Sequence, residues 1–277
     1  LLGVLIIFLV KNILIKDYMS DRVYLKLIDL QNRVDRRAKV LRRMPFKAGA
    51  AITPATSSLK QYSNTVYDQG VIASCTANAF CASFNIQNVI KKKYTGFMPS
   101  RLFLYYKERE MEYSIYDDSG ADVVDGEIYV KKYGICSEKS WPYNVFKWSI
   151  RPPSNCDVEA KKYKIQDYTI IPIDSLLITN IKTCIRNKNP LLIAIALYDS
   201  FVSKETEKTG IIPMPNMTTE KCVGGHELCL IGYDDTKQQF IVQNSWGSKW
   251  GDKGFCYIPY DYLTNPKLNL ECTYFTL

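Results

Sequence analysis

Cys75 is the residue on which chemistry can be built. It follows the turn-forming segment YDQGVIAS at 67–74 and opens the run TANAFCASFNIQNVIKKK, where Phe80 and Phe84 stand at i and i+4 beside Ala77 and Cys81. That spacing predicts a buried helix with the Cys75 sulfur at its amino terminus. There the helix dipole and unpaired amides favour a thiolate, and the expected thiol pKa lies below the free value of about 8.5. A thiolate attacking a carbonyl needs a base that takes a proton and returns it. The chain holds one imidazole, His226, in GGHELCLIGYDD at the start of a predicted strand. Asn244, in QNSWG at the end of the next strand, is brought back by a hairpin to accept from the imidazole N–H, with Trp246 shielding the bond from water. Gln69, six residues before Cys75, offers a neutral amide donor that joins the Cys75 backbone N–H in holding a developing oxyanion. The resulting acyl-enzyme can pass to water or to an amine. A peptidase, an acyl transferase or ligase, and a peptide-binding protein that does not cut therefore stand as alternatives.

These side chains need a scaffold of two kinds. Pro99 opens a second helix over SRLFLYYKEREME, and a third over 122–133 ends at Gly134, the residue suited to a left-handed C-cap. Beyond residue 165 the pattern changes to short β-rich runs, DYTIIPI, PLLIAIALY, HELCLIGY, QFIVQNSW and GFCYIP, interrupted by one helix, SLLITNIKTCIRNK. Helices packed beside an antiparallel sheet predict an α+β protein of two lobes, with a cleft between them as the natural substrate site.

Composition narrows the chemistry further. A chain of 277 residues with 47% hydrophobic and 13% aromatic content buries a substantial core. One histidine is too few for a multi-histidine zinc site, and none of the nine cysteines forms C-x-x-C, so neither a metal nor any other cofactor is called for. Eight cysteines besides Cys75 are left to form bridges or to sit as buried thiols. The net charge of +8 is mostly local: residues 1–47 hold 11 of the 36 Lys and Arg and 4 of the 28 Asp and Glu. The near-neutral remainder lacks the broad basic face of a nucleic-acid enzyme, and a monomer without nucleic-acid partners is expected. The opening LLGVLIIFLV is ten apolar residues, too few to span a bilayer alone, and is read as an anchor, a signal remnant, part of a pro-region or a buried hydrophobic element, the first two with membrane contact through residues 1–15. The expected organisation is that run with its basic arm over 1–47, an extended connector over 48–64, and the catalytic domain over 65–277.

The motifs DQG-x-x-x-SC, GGH and NSWG, in that order, resemble the papain-like cysteine peptidases. The similarity runs from about Val66 to the carboxyl end and includes SGADVVDG, KYGICSEKSWPY and GDKGFCYIPYDYL. It is nearest to the subgroup with YDQG-x-x-x-SCTANA motifs found in bacteria and large DNA viruses. The resemblance implies a papain-like fold, with a helical left lobe, an antiparallel β right lobe and protein or peptide substrates in the cleft. It assigns the nucleophile to Cys75, the base to His226, the orienting amide to Asn244 and the oxyanion donor to Gln69. It also puts Ser119, Gly120, Ala121 and Gly225 at the cleft wall, where backbone groups pair with an extended peptide in β fashion. The chain departs from the pattern C-G-S-C-W, which reads I-A-S-C-T here. Ile72 thus replaces a cysteine that is normally bridged, and Thr76 replaces a tryptophan. One family bridge cannot form, which favours a reducing cytosolic or virion-associated setting. Ala121 stands where many members have a second glycine. The usual helical propeptide signature is not seen in 11–47, so an inhibitory role for the arm rests only on its position ahead of the body.

Overall fold

The computed structural model describes residues 54–277, and the expectations for the hydrophobic run, the membrane contact and the basic arm fall outside them. Among the described residues no helix is long and apolar enough to cross a membrane. The first half is helical: α1 (Cys75–Lys91), α2 (Arg101–Met111), α3 (Val123–Lys132) and the short α4 (Ser154–Ala160). Helix α1 is buried without a break from Cys75 to Gln87, because α2 and α3 cover it on one side and the sheet on the other. Phe80 stacks on Phe275 at 4.4 Å between ring centroids, and the Gln87 amide donates to the Phe275 carbonyl at 2.9 Å. Ser100 and Asp122 cap α2 and α3 by accepting from Phe103 N and Val124 N. Past the end of α3 the chain turns at Gly134, φ +90°, where a Cβ would stand 1.8 Å from the Ala160 carbonyl oxygen. Only glycine fits there.

The second half forms a seven-stranded antiparallel sheet in the order β2 (Asp167–Ile170), β7 (Asn269–Thr276), β3 (Leu191–Tyr198), β4 (Cys222–Asp234), β5 (Gln239–Gln243), β6 (Phe255–Pro259). The seventh strand, β1 (Thr56–Ser58), pairs antiparallel with the far end of β4 at 232–234. Helices α5 (Leu177–Arg186), α6 (Lys204–Thr209) and α7 (Tyr260–Thr264) lie between strands. The molecule is the expected α+β protein of two lobes, α1 packing on β4 at their junction.

Two elements differ from the sequence reading. The stretch read as a connector supplies β1, and Leu59 behind it is buried with its N–H on the Ile231 carbonyl. Three polar residues are too short a run to show a period. Strand β7 was not anticipated because Asn269, Glu271 and Thr273 interrupt its apolar pattern. All three are buried rather than solvated. All nine cysteines are free thiols, and eight are fully buried, which selects the buried-thiol alternative.

Candidate active site

The chain reaches the junction of the lobes from four directions. Helix α1 begins there with Cys75, whose thiol is influenced by the backbone N–H groups of Thr76 and of Glu227, the residue after His226. The amino end of one lobe's central helix therefore meets the other lobe's longest strand at His226–Glu227. Strand β5 ends at Gln243, opposite Cys229, and the next residue, Asn244, turns back to His226. His226 Nε2 and Asn244 Oδ1 are 2.8 Å apart. The same oxygen accepts from the Ser245 backbone N–H at 2.8 Å. A backbone N–H can only donate, so that bond fixes which end of the amide is oxygen and makes Nε2 the proton carrier. His226 Nδ1 is then the basic nitrogen. Trp246 stacks on the imidazole at 4.8 Å between centroids and 26°, and Phe201 and Trp250 pack around the indole. The indole covers the hydrogen bond, as its place beside Asn244 suggests.

Gln69 is held from the same strand end. Its backbone N–H donates to the Ser245 carbonyl at 2.8 Å, and Ser245 Oγ donates to Gln69 Oε1 at 2.6 Å. The amide is thereby oriented with Nε2 toward the Ile72 carbonyl, 3.1 Å away, leaving its second N–H for another acceptor. The loop between Gln69 and Cys75 is tied down by groups that the sequence reading passed over. Arg101 lies between the rings of Tyr67 and Tyr143, 4.3 and 3.9 Å from their centroids, and pairs with Glu138 at 2.9 Å. Tyr143 OH donates to the Gln69 carbonyl at 2.8 Å and accepts from Ser74 Oγ at 2.6 Å.

The expected wall residues divide between the lobes. Ala73 N–H donates to Asp118 at 3.0 Å, which brings 119–121 beside the Cys75 loop. Gly120, φ +80°, and Ala121 are both buried just ahead of the Asp122 cap. Gly225 pairs with Ala196 beside His226, and Ser119 is half-buried.

The electrostatics correct one expectation. Cys75, 3% exposed, has its thiol pushed up to about 12, chiefly by burial, with the Glu227 N–H pulling the other way. Desolvation outweighs the helix dipole that was expected to lower it. Burial likewise lowers His226 to about 4, against the pull of Asn244. In this enclosed arrangement thiol and imidazole are both neutral at pH 7. Sequence reasoning also missed Glu227 and Glu108, whose carboxyls act on Cys75, although Glu227 directly follows the sole histidine. Among the described residues no group of His, Cys, Asp and Glu could hold a metal ion.

The family described as papain family cysteine protease matches residues 53–274. An uncharacterized peptidase C1-like protein of Acanthamoeba polyphaga mimivirus is 39% identical over 206 residues, 73% of this chain and 66% of that protein. Cysteine proteinase 2 of Entamoeba histolytica is 30% identical over 146 residues, 49% of this chain and 40% of that one. The match thus spans less than two thirds of either relative's own length. Among solved structures, xylellain, a cysteine protease from Xylella fastidiosa, superposes with a TM-score of 0.79 at 32% identity, covering 84% of this chain and 91% of that one.

Proposed function

The chain belongs to the papain family of cysteine proteases, and from that premise we propose that it hydrolyses peptide bonds within proteins or peptides through Cys75, His226 and Asn244. As the Cys75 proton passes to His226 Nδ1, the sulfur attacks the scissile carbonyl carbon. Gln69 Nε2 and the Cys75 backbone N–H hold the oxyanion, His226 returns its proton to the leaving amine, and water cleaves the thioester. Asn244 keeps the imidazole in the tautomer with Nδ1 bare. Ser119, Gly120, Ala121 and Gly225 line the path of an extended substrate. The observation that carries the reading is the chain of bonds from His226 through Asn244 and Ser245 to Gln69, with Cys75 at the head of the helix that packs on the His226 strand.

The test is digestion of a peptide library with the thiol titrated by an epoxide inhibitor. Labelling of Cys75 and cleavage lost in Cys75→Ala are expected, whereas cleavage by purified Cys75→Ala rejects the mechanism. Product analysis with an added amine separates hydrolysis from acyl transfer.

A further inference from the structure

One peptide group beside the nucleophile is held at both ends. The Ile72 carbonyl accepts from Gln69 Nε2 at 3.1 Å and from the Ser74 N–H at 2.9 Å, while the N–H of the same group, on Ala73, donates to Asp118 Oδ1 at 3.0 Å. A trans peptide is planar with its C=O and N–H pointing opposite ways, so a partner on the N–H sets the direction of the carbonyl. Hydrogen bonds in such a chain also polarise one another, each strengthening the next. The Gln69 amide is thereby fixed from two sides: Ser245 Oγ holds its oxygen from the sheet lobe, and the Ile72 carbonyl holds its nitrogen from the Cys75 loop. Asp118 is the far anchor of the second hold.

Asp118 needs a firm seat for this, yet the loop around it, 113–121 between α2 and α3, has no regular structure and carries Tyr113 and Tyr116, 97% and 90% exposed. The seat comes from Tyr105 and Arg109, one turn apart on α2 and both fully buried. Arg109 Nη1 donates to the carbonyls of Ile115 at 2.9 Å and Asp117 at 3.4 Å, Nη2 to that of Trp148, and Nε to that of Tyr105 at 3.1 Å. Among the described residues no ion pair reaches this guanidinium. A buried charge is costly unless its donors are met, and here backbone carbonyls meet them, two of the four from the residues leading into Asp118. Tyr105 completes the seat: its ring centroid lies 3.9 Å from the guanidinium, and its hydroxyl donates to Asp118 Oδ1 at 2.5 Å. One carboxylate oxygen therefore receives both Tyr105 and Ala73.

We propose that Asp118 is a positioning residue for the oxyanion site: it turns the Ile72–Ala73 peptide so that the carbonyl aims the second N–H of Gln69 Nε2 at the developing charge, and Arg109 keeps Asp118 in place. The inference rests on the peptidase reading, because that reading supplies the oxyanion. A Gln69 amide displaced by a fraction of an ångström leaves substrate binding intact but holds the transition state less well, so the effect falls on kcat. What counts is the acceptor oxygen, which an asparagine side chain also offers to the Ala73 N–H. Asp118 directly precedes the wall residues 119–121 as well, and a displaced wall would show in KM instead.

The experiment uses the full chain, with rates divided by the thiol titrated with an epoxide inhibitor, so that a loss of folded protein does not count as a loss of rate. Asp118→Ala is expected to lower kcat on the order of tenfold with KM little changed, and Asp118→Asn to recover it to within about threefold of the unmutated chain. In the Gln69→Ala background, Asp118→Ala should cost less than about twofold more, since its route runs through an amide already removed. If Asp118→Ala fails to fold, Asp118→Glu, which keeps the charge and shifts the acceptor by one methylene, replaces it in every comparison. The side-chain amide signals of Gln69 in NMR, identified by their loss in Gln69→Ala, read the same effect without turnover: they should move in Asp118→Ala and return in Asp118→Asn. An unchanged kcat in the folded variant, a change confined to KM, or full multiplication of the two losses in the double variant overturns the proposal. No cleavage of any peptide, with the signals moving as described, upholds the positioning and sinks the peptidase reading; cleavage with unmoved signals does the reverse.

Discussion

His226 and Glu227 are adjacent in β4, point to opposite faces of the strand and are almost equally buried. Their surroundings differ in kind. On the His226 face Asn244, Ser245 and Gln69 form a continuous run of hydrogen bonds with an indole laid over the imidazole, and Asn244 Nδ2 alone of that run is buried without a partner. On the Glu227 face the carboxyl groups of Glu271, Asp122, Glu127 and Glu108 converge on that of Glu227, and burial first and their influence second hold it well above the usual carboxylate range. Satisfied buried polar groups fix a geometry, which suits atoms that must be in place before the substrate comes. Crowded buried carboxyls instead hold one another's protons on. One strand thus separates a hydrogen-bonded run of side chains from a cluster of buried acids.

The largest effect belongs to the His226 face. His226→Ala, like Cys75→Ala, should lower kcat by on the order of 10⁴-fold or more; a loss under tenfold in steady-state assays of the folded variant would break the comparison. Gln69→Ala comes next, with kcat down on the order of 100-fold and KM little changed. Ser245→Ala leaves the Gln69 amide in place but unanchored. A loss of about 1 kcal/mol, roughly fivefold in kcat, is expected, and it should be smaller than that of Gln69→Ala.

The smallest effects are on stability, and the two faces should differ in sign. His226 is held at about 4, below its ordinary 6.5, so the folded chain resists its protonation and loses stability as pH falls through that interval. Glu227 is raised, so its contribution is full below the ordinary carboxylate range and is lost as pH rises. Thermal unfolding from pH 4 to 8 should show His226→Gln flattening the acid side and Glu227→Gln the neutral side. Parallel curves for both variants would remove the distinction.

Much of the first face can be read along the chain, because each member sits in a short motif with its own local structure: a turn before a helix at Gln69–Cys75, and a hairpin joining His226 to Asn244. Phe80 and Phe84 announce α1, and the β-branched runs announce β3, β4 and β5. The second face is assembled by register. Nothing in the local sequence says that Glu227 and Glu271, 44 residues apart, flank the same alanine. Polar alternation in β7 reads as an exposed edge or no strand at all, since a polar face normally meets water. The expected thiolate failed for a related reason: a helix amino terminus is visible in sequence, and the covering that desolvates it is not.

The clamp of Arg101 between Tyr67 and Tyr143 bears on handling as well as on geometry. A thiol enzyme is kept competent with reductants, which would attack any disulfide holding its reactive loop. Here that loop is anchored by stacked rings, a guanidinium and hydroxyls, with all nine cysteines already free. The melting temperature should therefore be the same in dithiothreitol as without it, and the treatment that protects the sulfur costs the framework nothing.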